Sequence, residues 1–323
     1  MDEKGLVAAY LLNGQGGGEL FDWDRIATWR ADDGVLWVHL DRDSQDSRSW
    51  LQNQSGLDPL VAESLLAEST RPRCVQVGSG IMLFLRGINS NPGADPEDMV
   101  SIRLWIEEKR IVSLRLRRLL PVADLRASID EGGGPSDVGD FVVQLADHLV
   151  SRISTVISEV DDRVDELQDQ VLETESGKLR TELTRLRREI IGLRRYLAPQ
   201  RDALARLTQL KLPWLNEMNQ MYLREEADRV VRYVEDLDSA RERAAVTQEE
   251  LVNRVSEQIN SRMYVLSVVA AIFLPLGFLT GLFGINVGGI PLAENPSGFF
   301  DVIFILVIIT LLQVILFRWR RWL

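Results

Sequence analysis
The sequence predicts an α+β cytoplasmic domain, a mostly antiparallel sheet with flanking helices, followed by a long stalk helix and two C-terminal transmembrane helices. Three observations carry that fold class. Up to about residue 120, short apolar runs alternate with glycine, asparagine and aspartate breaks. From residue 141 the chain is charged and periodic and holds few breakers. Two long apolar runs, 263–283 and 298–317, then close it, the second free of charge after Asp301. The expected regions are 1–140, a helical region 141–262 with the stalk, and a transmembrane hairpin 263–323.

In the first region, residues 5–12 (GLVAAYLL) and 35–41 (VLWVHLD) read as strands bounded by glycine and aspartate. Residues 73–88 hold two apolar runs split at Gly78-Ser79-Gly80, a hairpin signal. Residues 101–106 and 110–116 flank Glu107-Glu108-Lys109 as a second hairpin. Helical periodicity marks 23–30 and 44–67, and Asp58-Pro59 opens a helix because proline suits a first turn. Glycine clusters at 14–18 and 132–134 match no phosphate-binding pattern and read as flexible loops. The second lies in an expected linker, 131–140.

Beyond the linker, one helix is expected over 141–173, then a turn at Glu175-Ser176-Gly177. A second helix follows from 178 towards Leu212, kinked at Pro199, and Pro213 breaks the pattern. From about Leu215 to Phe283 the one proline is Pro275, and no glycine precedes Gly277. About 68 residues at 1.5 Å each would make a rod of ~100 Å. The 3-4 spacing of Val230, Val234, Leu237, Arg241, Ala244, Gln248, Leu251, Val255, Gln258 and Arg262 predicts copies packed along one seam. Its polar members favour a bundle around a wet axis over a dry dimer. Packing against the chain's own helices is expected as well.

The run 263–283 contains no charge, and about 21 residues span ~31 Å, the thickness of a bilayer core. Both runs should therefore cross as helices, joined by an outer loop at 284–297. That loop has no Lys or Arg, whereas Arg254 and Arg262 precede the first span and Arg318, Arg320 and Arg321 follow the second. Positive charge stays inside, so both termini are expected in the cytoplasm.

Net charge is −11, and residues after Ser261 carry four Arg against Glu294 and Asp301, a local +2 that leaves −13 on the rest. An acidic soluble part argues against nucleic acid and suits the gathering of cations. One cysteine, Cys74, and two histidines, His39 and His148, exclude a disulfide framework and a Cys/His zinc cluster within one chain. The N-terminus has no apolar stretch of signal-peptide type. No nucleophile motif accompanies either histidine, so no enzyme is expected.

Two spans cannot enclose a channel, so a pore needs several copies around one axis. The first span is the better lining. Taken at helical spacing, one face runs through Asn260, Ser267, Ala270, Leu274, Gly277, Gly281 and Gly284. Its glycines suit close helix approach, with or without a pore. Leu274 is the large apolar residue of that face and a candidate dewetting constriction. Asn286, just beyond, offers an uncharged amide ring for a hydrated divalent ion, which sheds water reluctantly. Glu294 in the loop is placed to attract cations or to serve as an ordinary solvated acid. The second span, with Gln313 as its mid-membrane polar residue, fits a lipid-facing ring. No Asp, Glu, Lys, Arg or His lies within 263–283 or 302–317, which leaves proton coupling without a buried candidate.

The block 264–286, YVLSVVAAIFLPLGFLTGLFGIN, resembles the end of the first membrane helix of the CorA superfamily of divalent-cation transporters. Architecture resembles it too, over the whole chain. Most magnesium-transporting members carry Gly-Met-Asn. Here Gly284 and Asn286 match and Ile285 replaces the methionine, a pattern similar to the zinc-associated ZntB branch. The resemblance implies a funnel-shaped homopentamer in the bacterial inner membrane, with Gly284-Ile285-Asn286 as the outer filter. It implies zinc, and other divalent cations, as cargo rather than cofactor, with uptake the expected direction. A magnesium or cobalt channel and a membrane-anchored coiled-coil scaffold or sensor are the alternatives.

Overall fold
A computed structural model describes residues 5–173, 177–285 and 296–320. The chain forms two compact units, residues 1–249 and 250–323.

The first unit is built on a seven-stranded sheet: β1 (Leu6–Leu12), β2 (Gly18–Leu20), β3 (Val35–Asp41), β4 (Arg73–Val77), β5 (Gly80–Gly87), β6 (Val100–Ile106) and β7 (Arg110–Arg115). Their order is β2-β1-β3-β7-β6-β5-β4, and the β3–β7 pair alone is parallel. Most strands are apolar throughout because both faces of the sheet are covered. On one face Leu36, Val38 and Leu40 join Val61, Leu65 and Trp50 from the helices α1 (Trp23–Thr28), α2 (Gln45–Asn53) and α3 (Pro59–Leu66). On the other, Tyr10 and Trp37 meet four further helices: α4 (Leu120–Asp130), α5 (Val138–Glu173), α6 (Gly177–Gln209) and α7 (Glu217–Phe283). Phe141, Leu204 and Val230 share that core, so the helices of this unit and the sheet pack as one body.

The stretch 44–67 holds two helices, parted where Gly56 takes φ +66, a left-handed value that suits glycine, and the second opens at Asp58-Pro59 as expected. Three expectations change. The Gly14–Gly18 cluster is no free loop. Gly18 begins β2, and Gly16 accepts a 2.7 Å hydrogen bond from the Gly134 N–H, which joins the two glycine clusters. Three residues are too few to show a strand's alternation, so β2 left no readable signal. Helix α4 falls where no element was expected, and α5 starts inside the expected linker. The turn at 175–176 lies outside the described residues; Pro199 sits inside an unbroken α6.

The stalk seam changes most. Val230, Val234, Leu237 and Ala244 are buried within the first unit, so these positions serve the chain's own core. Ion pairs clip α7 in place: Arg194 grips Asp238 with two bonds of 2.6 and 3.0 Å, Arg229 reaches Asp147 at 3.2 Å, and Arg243 pairs with Asp161 and Asp165. From Val255 onward the pattern, with Gln258 and Arg262, is exposed.

Candidate functional site
The second unit contains the end of α7 and α8 (Gly298–Trp319), both long and apolar enough to cross a membrane. On α7, Val268, Ile272, Leu276, Leu279 and Phe283 are partly covered. Their 3-4 spacing keeps them on one face. On α8, Val302, Leu306, Thr310 and Gln313 are partly covered and Phe317 is buried.

The expected pore face lies away from α8. Asn260, Ser267, Leu274, Gly277, Gly281 and Gly284 are exposed, and Ala270 is half-buried at the edge. Two residues along a helix turn it by about 200°, so Leu274, 72% exposed, stands nearly opposite Ile272 and Leu276. Among the described residues, a methyl group added to Gly277 or Gly281 would meet nothing within 4 Å. These glycines are therefore not spacers between α7 and α8. Whatever close approach they permit lies on the open side.

Gly284 follows the last residue of α7, its N–H directed at Thr280 O (3.0 Å) and Gly281 O (3.1 Å). Ile285 is half-exposed, and Asn286 and Glu294 lie outside the described residues. The Ser267 hydroxyl donates back to Met263 O at 2.8 Å, which leaves its lone pairs, not its proton, for the open face.

Among the described residues, no three His, Cys, Asp or Glu gather to hold a metal. Cys74 is buried, and burial pushes its thiol up to about 11. His39 is fully buried, and burial first, then Arg115 and Arg126, push it down to about 3. Gln313, singled out in the sequence as the polar residue of the second span, turns inward, its Nε2 donating to Ala271 O at 3.4 Å.

The family model "CorA-like Mg2+ transporter protein" matches residues 32–321. The divalent cation transporter CmaX of Pseudomonas aeruginosa is 42% identical over 325 residues, spanning 100% of this chain and 98% of its own. The zinc transport protein ZntB of Yersinia enterocolitica is 38% identical over 317 residues, with 98% and 96% covered. The solved structure of full-length CmaX matches with a TM-score of 0.88 at 41% identity, over 100% of this chain and 99% of that one. Fold and hairpin thus define a class, membrane transporters of metal ions rather than enzymes. The chain belongs to the CorA-like Mg2+ transporter family.

Proposed function
We propose that this chain is one subunit of a homopentamer that takes up hydrated divalent cations, zinc foremost, through a pore lined by α7. In this reading Gly284-Ile285-Asn286 forms the outer filter, Glu294 gathers cations at the mouth, and Leu274 narrows the passage. Both termini are cytoplasmic and the membrane is the bacterial inner one. The observation that carries the reading is the free face of α7. It is charge-free, contains two glycines where an added Cβ would meet none of the described residues within 4 Å, lies away from α8 and ends at the Gly-x-Asn tripeptide. Ile285 in place of methionine, and a ZntB relative over nearly the whole chain, support zinc. Such a pore suits a hydrated ion, because the lining lacks the thiolates and imidazoles that would strip zinc to a tetrahedral site.

The second reading is magnesium as cargo, favoured by the family's description. Competition flux in proteoliposomes separates the two. Zinc uptake that excess Mg2+ leaves intact is expected, whereas Mg2+ flux untouched by Zn2+ would defeat the zinc reading. Asn286→Ala should alter permeation or selectivity, and unchanged flux ratios would remove the filter from the account. Running the same assay with and without a pH gradient tests the absence of proton coupling.

A further inference from the structure
Pro275 stands inside α7. Proline has no N–H, so the carbonyl four residues back, that of Ala271, loses its helical donor. In hydrocarbon an acceptor without a donor is costly, and a spanning helix keeps a proline where a neighbour supplies the missing bond. That neighbour is on α8, where the Gln313 Nε2 lies 3.4 Å from the Ala271 oxygen. Gln313 is the one amide side chain of α8, so the helix has one side chain of this kind and directs it at this carbonyl. Its Oε1 is shielded from solvent and has no partner among the described residues, which makes the donor end the part in use. Leu274 belongs to the same turn of α7, on the opposite, open side.

We propose that Gln313 is a positioning residue for ion passage: by donating to the carbonyl that Pro275 frees, it holds the turn of α7 that presents Leu274. The inference rests on α7 as the pore lining. A proline leaves a missing rung, and helices bend at such points. With the Gln313 bond made, this turn is tied to α8. With it broken, the turn carrying Leu274 is free to tilt.

The test is a double-mutant cycle on the full chain in proteoliposomes. Divalent flux is measured against ion concentration for the wild type, Gln313→Leu, Pro275→Ala and the double variant. Gln313→Leu should change maximal flux by a factor of ~3 to ~20, the range spanned by one interhelical hydrogen bond in lipid. The half-saturating concentration should stay within about twofold, because no ion-contacting group is removed. In the Pro275→Ala background the restored N–H serves Ala271, and Gln313→Leu should then alter flux less than ~2-fold. Equal changes in both backgrounds overturn the proposal, as does wild-type flux from Gln313→Leu. If Gln313→Leu does not assemble, Gln313→Met, similar in length and without a donor, takes its place. Thermal midpoints of the four proteins in detergent form a second cycle that needs no transport. A shift that vanishes with Pro275→Ala supports the bond, and additive shifts overturn it. Wild-type vesicles that pass no divalent ion would sink the pore reading separately, with the thermal cycle still deciding the bond.

Discussion

His39 lies in the middle of β3 with no solvent exposure, its Nδ1 2.8 Å from Ser113 Oγ. The same hydroxyl accepts from Trp37 Nε1 at 2.8 Å. Trp37 in turn stacks on Tyr10 and meets Phe141 edge-on, so this small polar cluster sits where sheet and α5 join. Charging the imidazole here means ionising it in an apolar core, which is why its pKa falls to about 3. The sign of the consequence is fixed. The unfolded chain takes up a proton near pH 6.5 and the folded one does not, so stability is full above that value. It falls as pH drops towards 3, by about 1.4 kcal/mol per pH unit at most. Between pH 7.5 and 4.5 the wild type should therefore lose more thermal midpoint in detergent than His39→Asn. Parallel losses would mean that burial of this ring has no part in acid sensitivity.

At the scale of elements, α7 shows what a pattern alone can and cannot say. Its length was legible, because 67 residues without a glycine before Gly277 leave few places to stop. Its partner was not. A 3-4 stripe states that one face is apolar and is silent on whether a copy or the chain's own helix covers it. Here Val230 lies in a core shared with α5, α6 and the sheet, and Val234, Leu237 and Ala244 are buried in the same unit. Proline at Ala244, which has no solvent exposure, would remove a rung from the helix and press its ring into that packing. The expected loss is ~3 kcal/mol or more of stability. Flux through Ala244→Pro should collapse even where the protein still reaches the membrane; a variant that folds and conducts normally would show that helical continuity at this point is dispensable. Elements with strong local chemistry were read from the sequence with little error: β3, the hairpins at Gly78-Ser79-Gly80 and Glu107-Glu108-Lys109, and the Asp58-Pro59 start of α3, where Asp58 Oδ1 accepts from the Leu60 N–H at 2.8 Å. The elements missed were β2, too short for a period, and α4, whose LPVADLRASID is only weakly patterned.

For the whole molecule, assembly turns on what remains uncovered. One large apolar area is the hairpin itself, where Phe273, Leu274, Phe278 and Leu282 on α7 and Phe304, Leu311 and Ile315 on α8 are exposed. Among the described residues nothing covers it, and in the pore reading proposed above lipid and neighbouring subunits share it. Just before the span, Val255 is 41% exposed and Leu237 is fully buried. If copies of α7 share an axis, Val255→Cys should cross-link between subunits in a Cys74→Ser background, and Leu237→Cys should not. The reverse result, or a lone subunit in detergent, would remove the shared axis.

The sequence by itself determined the class of molecule and the extent of its two long apolar helices. Apolar runs of this length can be satisfied in a bilayer only as helices. Which face of each helix meets which neighbour was decided by the tertiary structure. A residue's spacing gives an angle on its own helix, and the direction of that angle acquires meaning when a second helix occupies one side. That is how Gln313 came to meet the carbonyl freed by Pro275, and how Leu274 came to lie on the face that α8 leaves open.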